Sequence, residues 1–221
     1  MDLYHIHTLG TCDSLWKVNK EFVIDDKFKN RLYSRLANFK TTVSVKDYPQ
    51  EVKIINQYYT EAGYSPIKDS ISVDDLLSIC LQVGVNTENF EKIIKEAKRI
   101  IYYARFNNRE RALENYRKDY YPQLPSRLHS LFVADETGLP YWQGVLLGED
   151  FDIFKVEVKE EPFVSNEQLF PEEGLTCKET YKAAERYWNA KIKRGMEQSN
   201  EYLVRGRVRV LEKVGERRNK K

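Results

Sequence analysis

Nothing in this chain points to a metal clip or a disulfide framework. Its 221 residues include three cysteines, Cys12, Cys80 and Cys177. They are far apart and odd in number, form no CxxC pair and have no histidine cluster beside them. Neither zinc nor disulfide bonding is therefore expected, which fits a reducing cytosol and a cytoplasmic protein. No apolar run reaches the roughly 18 residues of a transmembrane helix, and mean hydropathy is -0.65. The opening Met1–His7 lacks a charged segment followed by an apolar stretch, so no secretory leader is expected. Charge of one sign is missing as well: 36 Lys and Arg against 34 Asp and Glu leave a net +2. That balance gives no general attraction to nucleic acid or to an anionic membrane. The phosphate-binding loop, the Rossmann fingerprint, HExxH and GxSxG are all absent.

What is present is enough chain for a sizeable core and many rings: 15 Tyr, 10 Phe and 3 Trp. Such rings line pockets where flat ligands stack, and more often they simply fill cores and rims. Leu3–Thr8 alternates, placing Tyr4 and Ile6 on one strand face and His5 and His7 on the other. Phe22–Ile24 reads as a short extended piece, followed by a helix at about 27–39 with Leu32, Leu36 and Phe39 inward. From Val52 the apolar residues repeat at helical spacing: Val52, Ile55, Tyr58 and Tyr59, then 73–83, then 87–106. Ser72, three residues before Asp75, carries a capping-box-like start, and Pro122 and Pro125 end the helical block.

Strand character returns at Leu128–Val133, a helix is expected over 139–147, and Phe151–Lys159 forms a second clear strand. Glu179–Arg194 predicts a helix with Tyr181, Ala184, Tyr187 and Trp188 inward and Gly195 as its stop. Glu201–Leu211 predicts the last strand, before a short basic tail at 215–221 that is expected to fray. The order predicts an α+β fold, a single domain over 1–214 whose sheet takes strands from both chain ends, with a helical insertion at about 45–120. The charges of that insertion read as a solvated face.

With the usual catalytic signatures missing, the candidates are scattered: His5 and His7 on the first strand, Ser126-Arg127 with Tyr141-Trp142 in the middle, and Glu201 opening the last strand. Three stretches carry a resemblance. Leu3-Tyr4-His5, the run from Ser126-Arg127 through Phe132 and Asp135 to Tyr141-Trp142, and Glu201-Tyr-Leu-Val-Arg-Gly-Arg-Val-Arg-Val resemble the DUF2441 family of Bacillus proteins. That family is in turn similar to the ADP-ribosyltransferase fold. The resemblance covers roughly 1–25 and 123–214 and implies a split, mostly antiparallel sheet with a nucleotide or dinucleotide cleft between its halves. In transferases of the His-Tyr-Glu type, a first-strand His holds the adenosine ribose of NAD, an aromatic stacks on nicotinamide, and a Glu assists cleavage. His5, Tyr141 and Glu201 match those roles by order. The middle strand lacks the Ser-Thr-Ser run usual there.

NAD would thus be the substrate and Glu201 the catalytic group, because a fixed carboxylate stabilises the positive charge that develops as the N-glycosidic bond breaks. Arg127, beside Ser126, suits a bidentate contact to pyrophosphate, and Trp142 extends the aromatic shelf. Two other readings stand beside this one. The first is a non-catalytic nucleotide-binding or protein-interaction module of the same fold. The second is a nucleic-acid-associated protein using the Arg205, Arg207 and Arg209 stripe.

Overall fold

Alternation at the N-terminus and helical periodicity in the middle translate into fifteen regular elements among the described residues. The computed structural model describes residues 1–10, 13–83, 87–172, 175–190, 192 and 194–219. In chain order they are β1 (Leu3–Thr8), β2 (Glu21–Ile24), α1 (Arg31–Ala37), β3 (Thr42–Ser44), α2 (Pro49–Glu61), β4 (Ser70–Ser72), α3 (Val73–Val83) and α4 (Thr87–Tyr120). After these come β5 (Leu131–Asp135), α5 (Leu139–Val145), β6 (Phe151–Val158), β7 (Phe163–Asn166), α6 (Cys177–Trp188), β8 (Asn200–Val204) and β9 (Gly206–Arg217). This is an α+β protein. Its contacts divide it into two units, Met1–Ala37 with Asn108–Lys221, and Asn38–Asn107. Cys12 lies outside the described residues, and Cys177 is an exposed free thiol.

The first unit is built on a seven-stranded sheet in the order β2-β9-β6-β1-β5-β8-β7, with every neighbouring pair antiparallel. Strands from both chain ends therefore share one sheet. Its weak point is central. β1 pairs with β6 along its full length but with β5 only at Leu3↔Asp135 and Tyr4↔Ala134. Past those two pairs the His5 imidazole stands in for the ladder, its Nδ1 lying 2.8 Å from the Phe132 carbonyl oxygen. The seam separates β2-β9-β6-β1 from β5-β8-β7.

Alternation gives each face its own core. One carries Leu3, Leu131, Val133, Phe154, Val156, Tyr202, Val204, Val208 and Val210, packed with Trp16 and Ile24. The other carries Leu203 and Phe132, packed by Leu113 and Tyr116 of α4 and by Ala184, Tyr187 and Trp188 of α6. Burying such a side chain contributes about 1.5–3 kcal/mol, so the two cores hold this unit together.

Several boundaries differ from the sequence reading. β5 starts at Leu131, because the Ser126 carbonyl accepts hydrogen bonds from His129 N and Ser130 Oγ and holds the preceding residues in a turn. α6 starts at Cys177, because Thr176 and Glu179 form a reciprocal capping box. It stops at Trp188, well before Gly195, with Ala190 in the left-handed region at φ 50°. The expected last strand is two, since the chain turns at Gly206, φ +96°. There the Glu160 carboxylate accepts Arg207 N–H at 2.8 Å, and a Cβ on Gly206 would fall 2.2 Å from Glu160 atoms. β9 then runs on to Arg217, opposite Phe151, so the first residues of the expected tail are paired strand.

The second unit holds β3 paired antiparallel with β4, α2, α3 and the first part of α4. Val52, Ile55, Ile71, Leu76 and Ile93 form its core. Pro49 opens α2 at its first turn, and Ser72 Oγ accepts Asp75 N–H at 3.0 Å, the cap expected for α3. Of the residues repeating at helical spacing in α2, Val52, Ile55 and Tyr59 pack on this core and Tyr58 is exposed.

Candidate functional site

The densest chemistry among the described residues lies under β8, on the face covered by α4 and α6. Arg127, in the turn before β5, is 4% exposed and reaches two buried carboxylates. Its Nε donates to Glu110 Oε2 of α4 at 2.9 Å, and its Nη1 donates to Glu201 Oε2 of β8 and to Tyr187 Oη of α6, the latter at 2.7 Å. Tyr187 in turn donates its hydroxyl proton to Glu201 Oε2. Phe170 covers the guanidinium, its ring centroid 4.4 Å from Arg127 Cζ.

Charge sharing sets the protonation tendencies here. Burial pushes the Glu201 carboxyl above the ordinary carboxylate range, although Arg127 and Tyr187 pull the other way. Burial works against the Arg127 charge too, but Glu110 and Glu201 hold its guanidinium well above the usual value. Tyr187 is pushed well up, first by burial. A second cluster sits one helical turn on: Arg117 Nε and Nη2 grip Glu114 at 3.0 and 2.8 Å, while Ser126 Oγ donates to Glu114 Oε2 at 3.0 Å. Arg117 Nη1 also donates to the Pro122 and Leu124 carbonyls, tying down the chain after α4. Glu110, Glu114 and Arg117 were expected on a solvated helix face; instead they are buried.

The remaining candidates lie around these clusters or behind the sheet. Trp142 Nε1 donates to the Asn200 carbonyl at 2.8 Å, next to Glu201. Tyr141 donates to Glu167 and is pushed up to about 12, by burial and by that hydrogen bond. His5 is elsewhere. Glu201 shares its face with Leu203 and Tyr187, whereas His5 shares the opposite face with Leu3, and its ring stacks on Trp16 at 4.1 Å. Burial lowers the His5 imidazole to about 3, with a further contribution from His7, so it is neutral at pH 7. His7, 4% exposed, meets Asp13 at 2.7 Å. The structure thus brings Arg127 and Glu201 into contact, ties Trp142 to the Asn200 carbonyl, gives Ser126 to Glu114, and separates His5 from Glu201 by the thickness of the sheet.

Sequence reasoning missed Glu110 and Phe170 as partners of Arg127, and no local spacing signals either. The Thr176–Glu179 box was legible as a T-x-x-E signature. The arginine stripe is matched by carboxylates: Arg205 meets Asp26 at 3.0 Å, Arg207 meets Glu21 at 3.3 Å, and Arg209 stands opposite Glu21 and Glu157 in the two flanking registers. Among the described residues no group of three His, Cys, Asp or Glu is placed to hold a metal ion, and no helix is long and apolar enough to cross a membrane.

An antiparallel seven-stranded sheet with a central seam, helices packed on one face and a buried carboxylate–guanidinium cluster beneath β8 define the class of protein. The chain belongs to the family described as "Protein of unknown function (DUF2441)", which it matches over residues 3–216. No curated protein matches it.

Proposed function

We infer that this chain is a non-catalytic nucleotide-binding module of ADP-ribosyltransferase-like fold, with His5 at the ligand site and Glu201 in a structural role. One observation carries the reading: the Glu201 carboxylate is enclosed with Arg127 and Tyr187 on the face of the sheet opposite His5. A carboxylate that assists N-glycosidic cleavage must meet the ribose carbon of a nucleotide that the His also holds. Glu201 is 5% exposed and committed through Oε2. What supports the ligand site is the place of His5: it lies at the seam where the two halves of the sheet part, with a neutral imidazole stacked on Trp16.

The test is NAD and ADP-ribose binding by thermal shift, run beside chromatographic measurement of nicotinamide release. The expected result is a rise in Tm with either ligand, no nicotinamide above the buffer control, and loss of the shift in His5→Ala. Nicotinamide release that disappears in Glu201→Gln would restore the transferase reading, with NAD as substrate. No shift with any nucleotide would end the nucleotide reading altogether.

A further inference from the structure

We propose that Lys29, Tyr33 and His129 form a binding site for a phosphoryl group, carried by a phosphate monoester or present as the free ion. Two stretches far apart in the chain are tied together here. The His129 imidazole donates from Nδ1 to the Phe28 carbonyl at 2.7 Å. Asn30 Nδ2 donates to the Arg127 and Ser130 carbonyls at 2.6 and 2.9 Å, and its Oδ1 accepts the Tyr33 N–H at 3.0 Å. These anchors bring three side chains into one group. The Tyr33 and His129 ring centroids are 5.3 Å apart, and Lys29 Nζ lies 5.2 Å from the Tyr33 ring centre.

The anchors leave the polar end of each side chain free. A carbonyl only accepts, so His129 Nδ1 carries the proton and Nε2 of the neutral ring is an acceptor. Among the described residues, His129 Nε2, the Tyr33 hydroxyl and the Lys29 ammonium meet no hydrogen-bonding or ion-pair partner. Lys29 is exposed, and Tyr33 and His129 are half-buried. Charge points to an anion, because neither stretch brings a carboxylate: there is none from Lys27 through Ala37 and none from Tyr120 through Ala134. Glu149 reaches the first stretch but is spent on Arg31. The acids just before it are engaged too, Asp25 by the Lys27 N–H and Asp26 by Arg205.

The donor set narrows the anion further. Ammonium and phenol donate, whereas the imidazole nitrogen accepts or, once protonated, donates. A phosphate monoester, whose second ionisation falls at about pH 6, meets that nitrogen with P–OH in one form and P–O⁻ in the other. Sulfate has no proton to offer near neutral pH and leaves a neutral Nε2 facing an acceptor. His5 and Trp16 take no part, so this site and the nucleotide reading at the seam fail separately.

Proton NMR of the imidazole C2–H resonances tests this on the full-length protein, which has three histidines. Inorganic phosphate and phenyl phosphate, titrated at neutral pH and constant ionic strength, are expected to move one resonance to saturation. Its absence in His129→Gln, which keeps a donor for the Phe28 carbonyl, assigns it. Lys29→Ala should weaken binding by about tenfold or more, Tyr33→Phe by about threefold, and His5→Ala should change nothing. Tighter binding of phenyl phosphate assigns the site to a phosphorylated molecule, and tighter binding of inorganic phosphate to the free ion. No saturating shift at His129 with either, equally tight binding of sulfate, or wild-type affinity in Lys29→Ala overturns the proposal. So does loss of the response in His5→Ala, which would move the anion to the seam.

Discussion

The two faces of the large sheet solve the same burial problem with opposite materials. Around His5 the face is packed with Trp16, Phe154 and valines, and the imidazole is kept neutral. Around Glu201 the face is packed with Tyr187, Trp188 and Leu113, yet Arg127 and two carboxylates run through the middle. The comparison separates two kinds of side-chain role. Apolar packing is tolerant of exchange, whereas a buried charge cluster ties particular residues of α4, β8 and α6 to one another and is severely weakened by losing the cation they share.

The sharpest way to break this contrast is Arg127→Ala, which leaves Glu110 and Glu201 without their cation. A loss of about 3–5 kcal/mol in urea unfolding is expected, and Arg127→Lys should recover only part of it, because an ammonium cannot span both carboxylates. A loss under about 1 kcal/mol would mean that the cluster is not structural. On the other face, Trp16→Ala should cost about 3 kcal/mol through the cavity it leaves, with no change in how stability depends on pH in the alkaline range.

Acid sharpens the difference further. The His5 imidazole has its folded-state value lowered from 6.5 to about 3, so its contribution is complete above pH 6.5 and is lost as pH falls through that window. That loss amounts to about 2 kcal/mol once partial exposure of the ring is allowed for. His5→Phe should flatten this limb of the stability profile, and an unchanged limb would count against a buried neutral His5. Glu201 runs the other way. Its raised folded-state value means its contribution is present below the ordinary carboxylate range and is lost as pH rises above it. Glu201→Gln mimics the protonated acid and keeps an acceptor for Tyr187, so the smallest effect, about 1 kcal/mol at pH 7, is expected there. A loss as large as that of Arg127→Ala would show that the ionised form is required.

The sequence made one of these faces easier to read than the other. Alternation in Leu3–Thr8 and Phe151–Val158 revealed the strands, and the inward stripe Tyr181, Ala184, Tyr187, Trp188 of α6 was visible in its spacing, as was the Ser72 cap. Arg127 and Glu201 stood out through their place in motifs. Their meeting could not be read, because Glu201 lies 74 residues from Arg127 along the chain and Glu110 lies 17 away. A glutamate on a charged helix looks solvated until the strand that covers it is known. His5 was singled out as a ligand contact, but its bond to the Phe132 carbonyl depends on how β1 and β5 diverge, which no local pattern encodes.

The strand order also fixes a timetable for synthesis. β1 emerges first, but its partners begin only at Leu131 and Phe151, and β2 waits for Gly206. At roughly 5–20 residues per second, β2 spends about 10–40 s without its neighbour. Residues 38–107 face no such delay, since their core is drawn from that segment alone. The helical unit is therefore the part of the nascent chain that completes itself early. β1 can pair once Phe151–Val158 has emerged, whereas β2 stays unpaired until β9 follows, and a stop codon before β9 leaves β2 without its partner.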